Sequence, residues 1–131
     1  MVRHVNWFVG DLERSVLEAL WSAGEALDVH DVGAALSNRP ALAYTTVMTV
    51  LGRLHDKGLT RRVKHGRAFR YAARFGRDEF LARRALDMLS ESGAPPGSGV
   101  LMAFLDSADS ADPDLLDRLA SLIRERKRGQ K

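Results

Sequence analysis

The side chains with most to offer chemically lie between Tyr44 and Arg74. In the run Ala43-Tyr44-Thr45-Thr46-Val47-Met48-Thr49-Val50-Leu51-Gly52-Arg53-Leu54, helical spacing puts Thr45, Thr46, Met48, Thr49, Gly52 and Arg53 on one side, with Asp56 beyond them. Val47, Val50, Leu51 and Leu54 fall on the other. Threonine hydroxyls near a helix start can bond phosphate or base edges. The methyl of Met48 or of a threonine can meet a thymine methyl, and Arg53 can reach guanine or phosphate. An ordinary surface helix is the alternative, but threonine lowers helix propensity and three on one exposed face need a reason. From Arg53 to Arg74, eight cations (Arg53, Lys57, Arg61, Arg62, Lys64, Arg67, Arg70, Arg74) face one acid, Asp56, for a net +7. Such a stretch suits phosphate, and it equally suits a merely solvated face.

Other chemistries are poorly provided for. His4, His30, His55 and His65 are scattered without metal-ligand spacing. GxGxxG, GxxxxGK[ST] and GxSxG are all missing, so phosphate-cradling loops and a nucleophile elbow are not expected. Cysteine is absent, which removes thiolate metal sites, disulfides and Cys nucleophiles and fits a reducing compartment. Asp78-Glu79 reads as helix N-terminal charge rather than an acid/base pair. No catalytic residue, metal or cofactor is expected, and the chain does not read as an enzyme.

The whole-chain values say less. The 131 residues carry a formal net charge of +3, with 45% hydrophobic and 28% charged residues, in the range of a soluble protein of one domain, or of one domain plus a small appendage. Arginine supplies 16 of the 20 cations. No apolar stretch is long enough for a membrane span, and Met1-Val2-Arg3-His4-Val5-Asn6 has no signal-peptide character, so a cytoplasmic protein without membrane insertion is expected. Divided at Gly76, the first part carries +4 and the second −1. The basic excess is local.

The elements that must position these residues follow from periodicity and punctuation. Leu12, Val16, Leu17, Leu20 and Trp21 predict a helix over Asp11 to Ala23, between Gly10 and Gly24. Asp28 caps a second, short one with Val29, Val32, Ala35 and Leu36 on one side, ended by Ser37-Asn38-Arg39-Pro40. The threonine-rich helix is the third, from about Tyr44 to Lys57, and stops at Gly58. Then the period becomes 2, with Leu59, Val63, Phe69 and Tyr71 apolar and basic residues interleaved. His65-Gly66 is expected as the two-residue turn of a basic hairpin. Three helices and a charged hairpin are the layout of a winged helix-turn-helix, here over residues 1–76. Arg61, Lys64, His65 and Arg67 of the hairpin join the helix residues as candidate DNA contacts.

Over residues 77–131 a fourth helix is expected to present Leu81, Ala82, Ala85, Met88 and Leu89 on one face. A flexible Gly/Pro/Ser connector covers 90–99, and a short fifth helix holds Val100, Leu101, Phe104 and Leu105. Asp112-Pro113-Asp114 opens a sixth helix, with Leu115, Leu116, Leu119, Ala120, Leu122 and Ile123. These helices carry more apolar surface than they can readily bury alone, which suggests self-association through Leu101, Phe104, Leu105, Leu116, Leu119 and Ile123; packing on their own chain is the alternative. The fold class is mainly α, a winged helix-turn-helix followed by a small helical dimerisation segment.

The runs Gly10-Asp11-Leu12-Glu13 to Leu20-Trp21, Ala43 to Leu54, Lys57-Gly58-Leu59 and Gly66-Arg67-Ala68-Phe69-Arg70-Tyr71 resemble the penicillinase repressor family, the BlaI, MecI and CopY group, over essentially the whole chain. The high arginine and alanine content resembles an actinobacterial member of its BlaI/MecI branch. The resemblance implies a homodimeric transcriptional repressor whose winged domains bind a palindromic operator controlling β-lactam-resistance or related genes. It carries recognition-helix contacts onto Thr45, Thr46, Thr49 and Arg53 and wing contacts onto Lys64, His65 and Arg67. It also implies inactivation by proteolysis near Ala103-Phe104, triggered indirectly by a membrane β-lactam sensor protease, although the family's usual Asn is Ala103 here. The cysteine cluster of the copper-sensing branch is absent. Two other readings stay open: a ligand-responsive winged-helix regulator, and a winged-helix protein-interaction module that never touches DNA.

Overall fold

The computed structural model describes residues 4–36, 42–91 and 93–130, which form six helices and one antiparallel hairpin. The chain divides into two compact units, residues 1–85 and 86–131, and the division falls inside the fourth helix.

In the first unit, α1 (Asp11–Ala23) starts where the Glu13 carboxylate accepts the Gly10 N–H at 3.2 Å, and it ends at Gly24, which adopts φ 69°. Helix α2 (Val29–Ala35) is held at its start by a reciprocal pair. Asp28 accepts from the Asp31 N–H at 2.8 Å, and Asp31 from the Asp28 N–H at 3.2 Å. Val29, Val32 and Leu36 are buried as expected, but Ala35 is exposed; its small side chain lies at the edge of the stripe. The expected terminator Ser37-Asn38-Arg39-Pro40 lies outside the described residues, as does Ser92 of the expected connector. Helix α3 (Tyr44–Asp56) buries Val47, Val50, Leu51 and Leu54, and the chain turns at Gly58 with φ 80°. Its core side meets Val16, Leu17 and Leu20 of α1 and Val32 of α2 in one cluster.

Strands β1 (Thr60–His65) and β2 (Ala68–Ala73) pair from Thr60↔Ala73 to His65↔Ala68. The two-residue loop is therefore Gly66-Arg67, one position later than His65-Gly66, with Gly66 at φ 65° supplying the left-handed turn residue. Leu27 adds to the free edge of β2, exchanging 2.8 Å and 2.7 Å hydrogen bonds with Tyr71. The period-2 reading fails in the outer half of the hairpin. Leu59 and Tyr71 are buried, whereas Val63 is 69% exposed and Phe69 is also exposed, because the ribbon there projects beyond the core.

Helix α4 (Arg77–Leu89) also departs from expectation. Its buried residue is Phe80, while Leu81, Ala82, Ala85 and Met88 are exposed. Phe80 enters an aromatic group contributed by Trp7, ahead of α1, and by Trp21, with ring centroids 6.1 and 5.5 Å away. In the second unit, α5 (Ser98–Ala111) is longer than the short helix expected. Helix α6 (Pro113–Gly129) opens with the Asp112 carboxylate accepting the Asp114 N–H at 3.1 Å and proline at the first position. Among the described residues of this unit, Ala108 alone is buried.

Candidate nucleic-acid interface

Helix α3 reaches its position because its apolar side is held by α1 and α2, leaving the opposite side free. Thr45, Thr46, Met48, Thr49 and Arg53 are all exposed there. The Thr49 hydroxyl donates to the Thr45 carbonyl at 2.8 Å, so it offers a partner its methyl and lone pairs rather than its hydrogen. Ala43 gives α3 no side-chain cap, and no acid sits in its first turn. The first turn of α3 therefore carries no acid of its own to offset the positive end of the helix dipole. Gly52 lies on the same side, and a Cβ there would meet nothing within 4 Å. A helix-interior glycine costs about 0.5–1 kcal/mol relative to alanine, and no packing within the protein calls for it.

The hairpin register divides its side chains between two faces. Arg62, Lys64, Phe69 and Tyr71 share one; Arg61, Val63, Arg70 and Ala72 share the other. The first adjoins α3: a cleft of about 180 Å³ is lined by His30, Tyr44, Met48, Arg67, Phe69 and Tyr71 among others. Tyr44 stacks on His30 with centroids 4.9 Å apart, and Arg62 lies 4.4 Å above the Phe69 ring. The fold thus brings Met48 and Arg67 to one cleft, with Lys64 on the adjoining face of the wing. Arg61 instead borders a separate open groove of about 560 Å³, beside Trp21, Val63 and Phe75. His65 ends β1 at the wing tip.

The basic stretch is less outward than its count suggests. Lys57 is turned inward, donating to the Phe8 carbonyl at 2.7 Å and to Glu13 Oε1 at 3.0 Å. Arg74 donates to the Gly58 carbonyl at 3.2 Å and lies over Phe75. Tyr44, Arg62 and Phe69, exposed beside the candidate residues, escaped the sequence reading. The alternation that places Arg62 and Phe69 with Lys64 could have found two of them.

In the second unit, Leu101, Phe104, Leu105 and Ile123 are exposed and Leu116 and Leu119 half-buried. Ala103 and Phe104 lie mid-helix in α5. Among the described residues, no cluster of histidine and acidic side chains could hold a metal ion, and no helix is long and apolar enough to cross a membrane.

A family model described as Penicillinase repressor matches residues 9–125. Two proteins named Transcriptional regulator BlaI, from Mycobacterium tuberculosis strains CDC 1551 / Oshkosh and ATCC 25618 / H37Rv, are each 42% identical over 111 residues, covering 84% of this chain and 80% of theirs. Among solved structures, the solution structure of Bacillus licheniformis BlaI, monomeric form in complex with the blaP half-operator, is 26% identical at TM-score 0.46. It covers 55% of this chain and 87% of that one. The complex structure of hsRosR-S1 is 17% identical at TM-score 0.48, covering 94% of this chain and 96% of that one.

Proposed function

The chain belongs to the penicillinase repressor family, a family of transcriptional regulators rather than enzymes, and from that premise we propose that it represses transcription by binding double-stranded operator DNA as a homodimer. The observation that carries this reading is the free side of α3, where Thr45, Thr46, Met48, Thr49 and Arg53 stand exposed beside a basic wing. A helix of this kind fits the major groove, its first turn close to base edges and phosphate, while Lys64, His65 and Arg67 run along the backbone. Winged units paired by two-fold symmetry read a palindrome with half-sites about 10 bp apart, or a multiple of that.

Self-association is assigned to Leu101, Phe104, Leu105, Leu116, Leu119 and Ile123, which leave α5 and α6 with wide apolar surface. Regulation of β-lactam-resistance or related genes, and inactivation at Ala103-Phe104 downstream of a membrane sensor, complete the proposal. That bond is within α5, so a protease reaches it only when the helix opens locally.

The test is selection of bound fragments from random-sequence DNA by the full chain, followed by affinity measurements across salt concentrations. The expected result is a palindromic consensus, with log K falling against log salt by about 0.9 per phosphate contact. Recovery of no consensus, with salt-independent association, would leave the protein-interaction module in its place.

A further inference from the structure

Arg61 and Arg70 are the wing cations for which the α3 cleft gives no use. Register places them with Val63 and Ala72 on the hairpin face turned away from Phe69 and Tyr71. Arg61 stands opposite Ala72 and Arg70 opposite Val63, so the two side chains are diagonal neighbours on adjacent strands. Both are exposed, and among the described residues neither makes a hydrogen bond, an ion pair or a ring contact. Arg70 acts on Asp28 only at a distance, adding to the lowering of that carboxyl that the Asp31 N–H chiefly produces. Both arginines border the open groove of about 560 Å³ on this side of the hairpin. Its other wall is the end of α1, where Leu20 is buried and Trp21 half-buried, and it runs to Phe75, just beyond β2. The Trp21 indole N–H donates to the Phe75 carbonyl at 2.8 Å, so the one polar atom of that side chain is used and its ring remains as apolar surface. Glu25 is the one acid among the described residues that line the groove, which leaves it at net +1.

We propose that this groove is a binding site for a small aromatic carboxylate, its ring lying toward Trp21 and Phe75 and its carboxylate held by Arg61 and Arg70. Ligand sites of this kind combine mainly apolar walls with a few polar groups that fix orientation. Neighbouring guanidinium groups suit a carboxylate, since each can present paired N–H donors to its two oxygens. Ala72, opposite Arg61, lies three residues before Phe75, about 10 Å along extended chain. That distance matches the span of a bicyclic aromatic acid. Glu25 sets the charge of the occupant: a groove at net +1 suits a single negative charge and disfavours a polyanion such as a polyphosphate. All of these residues belong to the first unit, and Arg62 and Lys64 lie on the opposite face of the hairpin. The inference therefore stands apart from the DNA-binding dimer proposed above.

The test titrates the full chain with naphthoate by calorimetry and follows the indole N–H signals of Trp7 and Trp21 by heteronuclear NMR. Naphthamide, which keeps the rings without the charge, and inorganic phosphate, which keeps the charge without the rings, are titrated alongside. The expected result is saturable binding of naphthoate, one per chain, that moves the Trp21 signal more than that of Trp7, which does not line the groove. Naphthamide and phosphate should each bind at least about tenfold more weakly, and Arg61→Gln and Arg70→Gln should each weaken naphthoate by about tenfold. Ala72→Leu keeps both cations but fills the groove, and should weaken naphthoate to a similar extent. None of the three substituted residues is buried, so the variants keep the fold. Phosphate binding as tight as that of naphthoate would reduce the site to a general attraction to basic surface and overturn the proposal. So would naphthamide binding equally well, Trp7 moving as far as Trp21, undiminished affinity in the variants, or no saturable binding of naphthoate at millimolar concentration.

Discussion

Lys57 holds its ammonium group 2.7 Å from Glu13 Oε2, joining the end of α3 to the first turn of α1. With its donation to the Phe8 carbonyl, the pair turns a cation of the basic stretch into a structural tie. Lys57→Ala is expected to destabilise the fold by about 1–3 kcal/mol, because a largely enclosed carboxylate and a carbonyl lose their donor. The slope of DNA affinity against salt should not change. Denaturant melts and a salt titration check this, and a slope reduced by about 0.9 would place Lys57 on phosphate instead.

Arg53 and the wing cations should behave differently. Arg53→Ala is expected to cost about 1–3 kcal/mol of DNA binding and to relax preference at one base position. Lys64→Ala and Arg67→Ala should weaken binding uniformly across sequences and lower the salt slope by about 0.9 each. Affinities over a library of single-base operator variants separate the two patterns. A uniform loss for Arg53→Ala would assign that residue to the backbone.

Gly52 sets stability against function. Gly52→Ala should raise stability by about 0.5–1 kcal/mol, since the helix gains propensity and the new methyl meets nothing in the protein. The same methyl would stand between α3 and an approaching duplex, so DNA affinity should fall about tenfold, or ~1.4 kcal/mol. A stabilised protein with unaltered affinity would show that Gly52 faces only solvent.

For the second unit, Phe104→Asp and Ile123→Asp place charge at side chains that are 41% and 53% exposed. Both should give monomers in sedimentation. Affinity for paired half-sites should fall about a hundredfold, and affinity for a single half-site should persist. Dimers retained by both variants would move the interface elsewhere.

Acid should loosen the root of α4. The Arg77 guanidinium first, and Arg14 with it, favour the charged form of Glu18 and hold its carboxyl below the usual glutamate value. The unfolded chain therefore binds the proton more readily, so this contribution is complete above about pH 4.3 and fades as the pH falls through the lowered value. Melting midpoints of the unaltered chain and of Glu18→Gln should differ near pH 6 and draw together as the pH falls below the usual glutamate value. A constant separation would rule Glu18 out as the group that titrates.

Much of the element order was legible because its signals are local. Asp28 and the Asp112-Pro113 pair mark helix starts through bonds to their own neighbours, and Gly58 ends α3 through its φ of 80°. The α3 stripe Val47, Val50, Leu51, Leu54 is buried as its period requires, which leaves the threonine face outward. The hairpin was legible as a hairpin, and alternation along β1 already separates Arg61 from Lys64, but its turn fell one residue later, which sets Lys64 opposite Phe69 and moves Arg67 from the strand into the loop. Alternation sorts side chains within a strand; only register decides which residues of the two strands stand opposite one another.

The sequence by itself determined the order of the elements, the polar face of α3 and the concentration of positive charge around the wing, since each rests on interactions within a few residues. Tertiary structure decided which of those charges face outward and where α4 is rooted. Lys57 is taken up by Glu13, 44 residues earlier, and Arg77 by Glu18, 59 residues earlier. Phe80, rather than Leu81 or Met88, enters the core because Trp7 and Trp21 are there to receive it. Periodicity states which residues share a side of a helix; what that side meets depends on chain segments far away in sequence.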